Sequence, residues 1–387
     1  MRANLVVCVA IFAISCWADM YASITDSPIA PTAVRNDSND NTRNLRAEAE
    51  RLYVEGKFEA SFTLFESLYE QGDTISGLRL ALSYIRGTGC NRNVDKGVEI
   101  LEKLADEGYI DANPHLCRVY MLVFQENQKA LEYARKSAKN DHGKMLNYMA
   151  WYLAPQDPDM AFVCAQESAD LGCDEGIRCL ANFYAGGVGC ERDLNKAGEL
   201  FGKIADCNGA GRDGYIAVLI AQNKHKELYE TLLKYIHCTD GDGENGSHIP
   251  YYLSYMYRNG IYVEKDMDKA LFYGELSAER GDLVSQIELW RYYREKKDYI
   301  RMFKWLKKAA EQGDSASQAM LAHAYFFGEG CEINHDYGEN WACKASENPT
   351  DELISLLMEL RIRRELGDER SELLINLIEA RTRSYAP

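Results

Sequence analysis

The chain has 387 residues, more than one typical domain, and its 46% hydrophobic content supplies ample core material unless that core is spread along an elongated array. A formal charge of −16 argues against nucleic acid or an anionic membrane as the main partner, since both need clustered Lys and Arg. Neutral or cationic partners fit this composition better.

In chain order, Arg2 precedes an apolar run from Leu5 to about Ala18 that is too short to span a bilayer and is followed by Asp19. Residues 1–22 are therefore expected to be an export signal, cut after Ala18 or Ala22. The stretch "AISC" also resembles a lipoprotein signal with Cys16 as the lipidated residue, the one route by which a membrane would become a partner. Residues 23–44 are polar, aromatic-free and Pro-containing, and read as a disordered tether. Export permits disulfides, and ten of the twelve cysteines remain after a cut at Ala18.

Beyond residue 44 the chain repeats. "YIRGTGC" (84–90), "YAGGVGC" (184–190) and "YFFGEGC" (325–331) share a tyrosine, two glycines two residues apart and a cysteine, and a weaker copy begins at Tyr257. Nine residues past each tyrosine stand Asn93, Asp193, Asp266 and Asn334, whose side-chain oxygens suit a helix N-cap. At thirteen stand Gly97, Ala197, Ala270 and Gly338, small enough to let helices approach closely. Leu80, Leu180, Leu253 and Leu321 lie one turn before the tyrosines, so each tyrosine closes a first helix. The second helix ends in Ala-x-x-Gly at Gly108, Gly172, Gly281 and Gly313, a left-handed C-cap, after which Asp73, Asp111, Asp174, Asp282 and Asp314 are placed to cap the next helix. Anchors at Tyr53, Tyr84, Tyr120, Tyr152, Tyr184, Leu219, Tyr257, Tyr293 and Tyr325 extend this register. Units carrying the Gly-x-Gly loop before a following anchor span 35 or 36 residues, and those at Tyr53, Tyr120, Tyr152 and Tyr293 span 31 or 32, so the loop is a roughly four-residue insertion into a helix-turn-helix unit.

This pattern resembles the Sel1-like repeat family, relatives of tetratricopeptide repeats, most closely at "CLANFYAGGVGCERDLNKAGELF". The resemblance implies an all-α fold, a superhelical solenoid of about nine to ten stacked antiparallel helix pairs over residues 45–347, with 348–387 as divergent capping helices. The period supports the same architecture, because such short helix pairs bury their faces only by stacking.

Catalytic signatures are missing from the sequence. The glycine loops lack the preceding strand and the Gly-Lys-Ser/Thr ending of a phosphate loop. "GDGENG" (241–246) follows a helical segment, and Asp242 and Glu244 would repel a pyrophosphate. As a calcium loop, Asp240, Asp242 and Glu244 lack the glycine, Asn245 standing in its place, and lack the twelfth-position carboxylate, which is Tyr251. No Cys-x-x-Cys or His-Glu-x-x-His occurs, and the pair His237–Cys238 reads as a helix end. No cofactor, metal or catalytic residue is expected.

Two sets of residues are candidates for function or stabilisation. Cys90, Cys190 and Cys331 occupy one slot several repeats apart, too distant to bridge each other, and act as small buried hydrophobes or pair locally. The candidate disulfides are Cys90–Cys117, Cys164–Cys179, Cys173–Cys207 and Cys331–Cys343. Tyr251 and Tyr255 lie off the core slots on one helical face. Trp290 replaces the alanine of Ala81, Ala181 and Ala322 and is expected to protrude into a groove beside Arg291 and Arg294. These five are the candidate partner-binding residues. The chain is expected to be an exported, non-enzymatic scaffold or adaptor that takes a protein or peptide on its concave face, in a bacterial periplasm or secreted. The alternatives are an enzyme or small-ligand binder with an inter-repeat pocket, and a eukaryotic secretory lumen, where Asn36 and Asn245 would be glycosylation sites.

Overall fold

A computed structural model describes residues 40–207, 209–238, 248–347 and 350, with shorter stretches at 353–354, 356–358, 360–361, 371–372, 375–376 and 378–379. The export signal with Cys16, most of the tether, Asn36, the acidic loop with Asn245, and much of 348–387 lie outside the described residues. Every regular element among those described is helical. In chain order these are α1 (Asp40–Val54), α2 (Phe58–Glu70), α3 (Thr74–Arg86), α4 (Val94–Asp106), α5 (Ala112–Val119), a π-helical turn (Tyr120–Phe124), α6 (Asn127–Asp141), α7 (Lys144–Leu153), α8 (Pro158–Asp170) and α9 (Asp174–Gly186). There follow α10 (Leu194–Ile204), α11 (Gly209–Ala221), α12 (His225–Tyr235), α13 (His248–Asn259), α14 (Met267–Glu279), α15 (Leu283–Glu295), α16 (Tyr299–Glu311), α17 (Ser315–Phe327) and α18 (His335–Ala345). Helix α1 opens at Asp40, so the last residues of the predicted tether belong to the first helix.

First and second helices alternate, each odd-numbered helix being the first of a pair. The chain divides into two compact units between Val218 and Leu219, a division inside α11. In the first unit α1/α2, α3/α4, α5/α6, α7/α8 and α9/α10 pack as pairs, and consecutive pairs pack on each other. Their core is continuous from Ala49 through Leu101, Leu116 and Leu146 to Phe183. In the second unit α13/α14, α15/α16 and α17/α18 stack likewise around Leu289, Trp305 and Leu321. Leu353, Leu356, Leu360, Ile375 and Ile378 pack against Ala322, Phe326 and Ala342 of the last pair.

The loops behave as their sequence demands. The amides of Asn93, Asp193, Asp266 and Asn334 donate to the carbonyls of Tyr84, Tyr184, Tyr257 and Tyr325 at 2.8–3.0 Å, and each of the four side chains caps the following helix. In two units without the loop the same closure takes five residues, Asp298 donating to Tyr293 and Lys224 to Leu219, while Glu126 donates to Tyr120 six residues back and Lys57 and Asp157 close on Leu52 and Leu153, neighbours of their anchors. Nine against five at Tyr293 matches the predicted four-residue insertion. Its second glycine seats the loop on the preceding unit, because a Cβ on Gly89, Gly189 or Gly330 would stand 2.2, 2.1 or 2.0 Å from the carbonyl oxygen that opens α2, α8 or α16. Two expected caps differ. Asp111 makes no side-chain cap bond, and Asp174 is already the first residue of α9, with Cys173 at the N-cap.

Candidate functional site

Three buried anchor tyrosines, Tyr84, Tyr120 and Tyr293, tie helices of neighbouring repeats together. Tyr120 donates to Glu102 Oε1 at 2.7 Å, on the second helix of the unit before, and accepts from Lys129 Nζ at 2.6 Å, on the second helix of its own unit. Tyr84 repeats this between Glu66 and Lys96, and Tyr293 donates to Glu275 at 2.6 Å beneath Arg301. Phenol, carboxylate and amine together suggest proton transfer. Burial, followed by the hydrogen bond to Glu275, pushes Tyr293 up to about 12, and burial raises Tyr120 as well, so neither is poised to exchange a proton near neutrality. The triads are struts between repeats.

Polar groups left without internal partners concentrate elsewhere, on the first helices. Asn113 Oδ1 and Arg118 Nε on α5, Asn147 Oδ1 and Tyr148 Oη on α7, Arg258 Nε on α13 and Ser285 Oγ on α15 are buried with no hydrogen-bond partner among the described residues. Such groups cost free energy unless something else satisfies them. In the first unit the Arg118 guanidinium carbon lies 5.9 Å from the centre of the Tyr148 ring. Burial, then the positive charges of Arg118, Arg86 and Arg79, hold His115 down at about 3. In the second unit Arg258 donates to Glu288 Oε2 at 2.7 Å, joining α13 to α15. Burial and the nearby carboxylates of Glu288 and Asp282 raise the phenol of Tyr251.

The predicted partner-binding residues separate into two groups. Tyr251 and Tyr255 are half-buried on α13, while Arg291 and Arg294 are exposed on α15. Tyr255 and Arg291 hold the same repeat slot, two before the anchor, as does Arg118 in the first unit. Trp290 does not protrude. It is 1% exposed inside the core around Leu306 and Leu321, and its indole N–H donates to Ser317 Oγ at 2.9 Å on the next first helix. The alanine slot faces the interior, and the small Ser317 opposite leaves room for the indole. Arg258, Glu288, Arg118 and Tyr148 were missed by the sequence reading, although Arg118 and Glu288 hold the slots two and five before their anchors, which carry charged or polar residues in most units.

None of the four expected cysteine pairs is bridged. Cys90, Cys190 and Cys331 instead turn their thiols back toward the carbonyls of Ser83, Phe183 and Ala324 in their own units, at 3.4–3.7 Å. Cys90 and Cys331 pack against the core as small hydrophobes, while Cys117, Cys164 and Cys179 are fully buried inside helices. The Tyr257 loop departs from the others. Tyr262 takes the second glycine's place at φ 65°, its ring 5.7 Å from that of Tyr229. A solvent-facing recess of about 570 Å³ lies beside it, lined by Tyr229, Tyr257, Lys265, Asp266 and Lys269 among others. No group of three or more His, Cys, Asp or Glu able to hold a metal occurs among the described residues, and His237 and Cys238 stand alone at the end of α12.

Comparison with known proteins places this architecture. The Sel1 repeat model matches residues 78–109, 120–142, 146–173, 180–209, 251–282, 292–314 and 315–349, just over half of the chain. A Sel1-like repeat-containing protein of Acanthamoeba polyphaga mimivirus is 36% identical over 73 residues, 19% of this chain and 14% of that protein, so the chain matches only a small part of its relative's length. The crystal structure of a Sel1 repeat protein from Oxalobacter formigenes superposes with a TM-score of 0.56 at 19% identity, covering 86% of this chain and 98% of that one. A protective antigen present in uropathogenic Escherichia coli strains, displaying an SLR fold, aligns with a TM-score of 0.47 at 18% identity over 89% of this chain and 84% of that one.

Proposed function

The chain belongs to the Sel1 repeat family, and from that premise we propose that it is an exported, non-catalytic adaptor that holds a protein or peptide partner against the exposed face of its first helices. The observation that carries this reading is the concentration of buried, unsatisfied polar atoms on those helices, from Arg118 and Tyr148 in the first unit to Arg258 in the second. Buried donors and acceptors without bonds cost free energy, and a partner that closes over these helices with some side-chain rearrangement is one way to satisfy them. Tyr255, Arg291 and Arg294 add half-buried aromatic and exposed cationic surface to the same helices. Export is supported by Arg2 ahead of the apolar run Leu5 to Ala18, with a periplasmic or secreted destination and a membrane tie only through Cys16.

Capture of partners from the exported fraction tests the reading. The wild-type chain is expected to retain a stoichiometric protein that is lost from a double variant, Arg118→Glu with Arg291→Glu, while the variant melts as the wild type does. Retention of that protein by the variant overturns the surface assignment. The recess beside Tyr262 favours a second reading, a small-ligand site between repeats. A metabolite that raises the melting temperature of the wild type but not of Lys269→Ala would support it.

A further inference from the structure

We propose that the recess beside Tyr262, lined by Tyr229, Tyr257, Lys265 and Lys269, binds a small aromatic carboxylic acid whose carboxylate takes the place that a glutamate of the chain holds at other anchors. This rests on the small-ligand reading of the recess and names the chemistry of what is bound.

Two slots of a second helix meet the anchor tyrosine of the following unit. In the fifth, Phe62 on α2, Phe162 on α8 and Phe303 on α16 stand edge-on to Tyr84, Tyr184 and Tyr325, with ring centres 5.1–5.4 Å apart. In the ninth, Glu66 on α2, Glu102 on α4 and Glu275 on α14 accept from the hydroxyls of Tyr84, Tyr120 and Tyr293 at 2.6–3.2 Å. On α12 both slots differ. The fifth residue is Tyr229, edge-on to Tyr257 with ring centres 6.2 Å apart, and the ninth is Leu233, which has no acceptor to offer. The two hydroxyls meet each other at 2.7 Å instead. One bond between two hydroxyls uses one of their two protons, so the pair keeps an O–H donor. Burial, then the hydrogen bond to Tyr229, raises Tyr257, which therefore stays protonated at neutral pH. Tyr184 and Tyr325 face no glutamate either, but Phe162 and Phe303 bring no second hydroxyl to them.

The cations of the recess are left over in the same way. Lys269 holds the slot of Lys96, twelve residues past its anchor, and lies 5.1 Å from the centre of the Tyr257 ring. With no glutamate to meet, its ammonium turns to Asp266 at 3.4 Å, a carboxylate that also caps the Lys269 amide at 3.0 Å. Lys265 is exposed, and its ammonium makes no hydrogen bond or ion pair among the described residues. Glu264 and Asp266 balance the two lysines, so net charge does not select the ligand. Selection comes from the spare phenol and ammonium donors, which a carboxylate satisfies through charge-assisted bonds. Val263 and Met267 add apolar lining beside the Tyr229 ring, which suits a flat aromatic body. The volume of about 570 Å³ falls within the range of roughly 300–1,000 Å³ typical of small-molecule sites. Tyr262 braces this wall. Its ring lies 5.7 Å from that of Tyr229, and it holds φ at 65°, a strained backbone kept where the other loops carry glycine.

The test is a ligand-detected NMR titration of the full chain with 3-phenylpropionate, against 3-phenylpropionamide as its neutral isostere. The acid should bind, and the amide should bind at least about fivefold more weakly for want of a charge-assisted bond. Lys265→Gln should weaken the acid by a similar factor. The double variant Tyr229→Phe with Leu233→Glu rebuilds the pairing of Phe62 and Glu66, on a residue that is already exposed. It should melt no lower than the wild type and no longer bind the acid. Absence of acid binding, or undiminished binding by the folded double variant or by Lys265→Gln, overturns the proposal. Lys265 lies outside the core, so its variant decides the matter even where the double variant melts early. Equal binding of acid and amide, both lost in Lys269→Ala, would sink the carboxylate assignment while leaving the small-ligand reading intact.

Discussion

Gly189 lies against the backbone of Pro158, so close that a Cβ built on it would stand 2.1 Å from the Pro158 carbonyl oxygen. The same glycine holds φ at 64°, where an L side chain is strained. Gly189→Ala therefore meets two penalties, conformational strain and displacement of the loop from α8, and is expected to cost about 2–4 kcal/mol. Gly187→Ala at φ 76° meets only the first, since its Cβ would find Arg192 at an ordinary 3.5 Å, and should cost about 1 kcal/mol. Urea titrations of the two variants side by side check the ordering. Equal midpoints would show that the loop does not need its seat on the preceding helix.

Trp290 is a core residue, and its removal should read out as stability. Trp290→Ala is expected to lose about 3–5 kcal/mol from the cavity it leaves, with Ser317 also losing its donor. Trp290→Phe keeps most of the volume and should lose clearly less. A thermal melt distinguishes this from a groove anchor, for which the alanine variant would melt normally and lose only its partner.

What the sequence disclosed was local. Caps at Asn93, Asp193, Asp266 and Asn334, the four-residue insertion and the close approach at Gly97 all follow from contacts within one unit, so spacing alone reveals them. Gly97 illustrates the point, since its Cβ would stand 2.7 Å from the Ala81 carbonyl of the paired helix. Contacts between units were not legible in the same way. The space for Trp290 is set by Ser317, on the next first helix, and the gathering of Arg79, Arg86 and Arg118 around His115 depends on how α3 stacks beside α5. The cysteines show the same limit: a shared slot reveals burial, while pairing depends on distances that no one-dimensional spacing supplies.

The thiols should behave as packing atoms. Burial raises Cys90, Cys190 and Cys331, and pushes Cys117 and Cys164 up to about 12, so few are thiolate at neutral pH. Exposed Cys207 should react first with a thiol-directed disulfide reagent, and Cys117 and Cys164 only on unfolding. Cys190→Val should change stability by less than about 1 kcal/mol, because Val263 already fills the equivalent slot of the Tyr257 loop. A lower melting temperature under reducing conditions would contradict this and point to bridges.

His115 gives the fold a specific acid sensitivity. Its folded value, about 3, lies below the ordinary 6.5 because burial and then Arg118, Arg86 and Arg79 oppose a further positive charge. The unfolded chain thus takes up the proton first as pH falls. Stability tied to neutral His115 is complete above about pH 6.5 and declines through the interval down to about 3, by at most about 1.4 kcal/mol per pH unit. His115 is half-buried, so solvent screens part of the repulsion and the slope is shallower than this limit. In His115→Gln the imidazole is absent, so the difference in unfolding free energy between variant and wild type should move in the variant's favour from pH 7 to pH 4. Carboxylates titrating in the same range act on both proteins and cancel in that difference. A wild-type-minus-variant difference that stays flat over this range would mean that the arginines do not crowd His115 in solution.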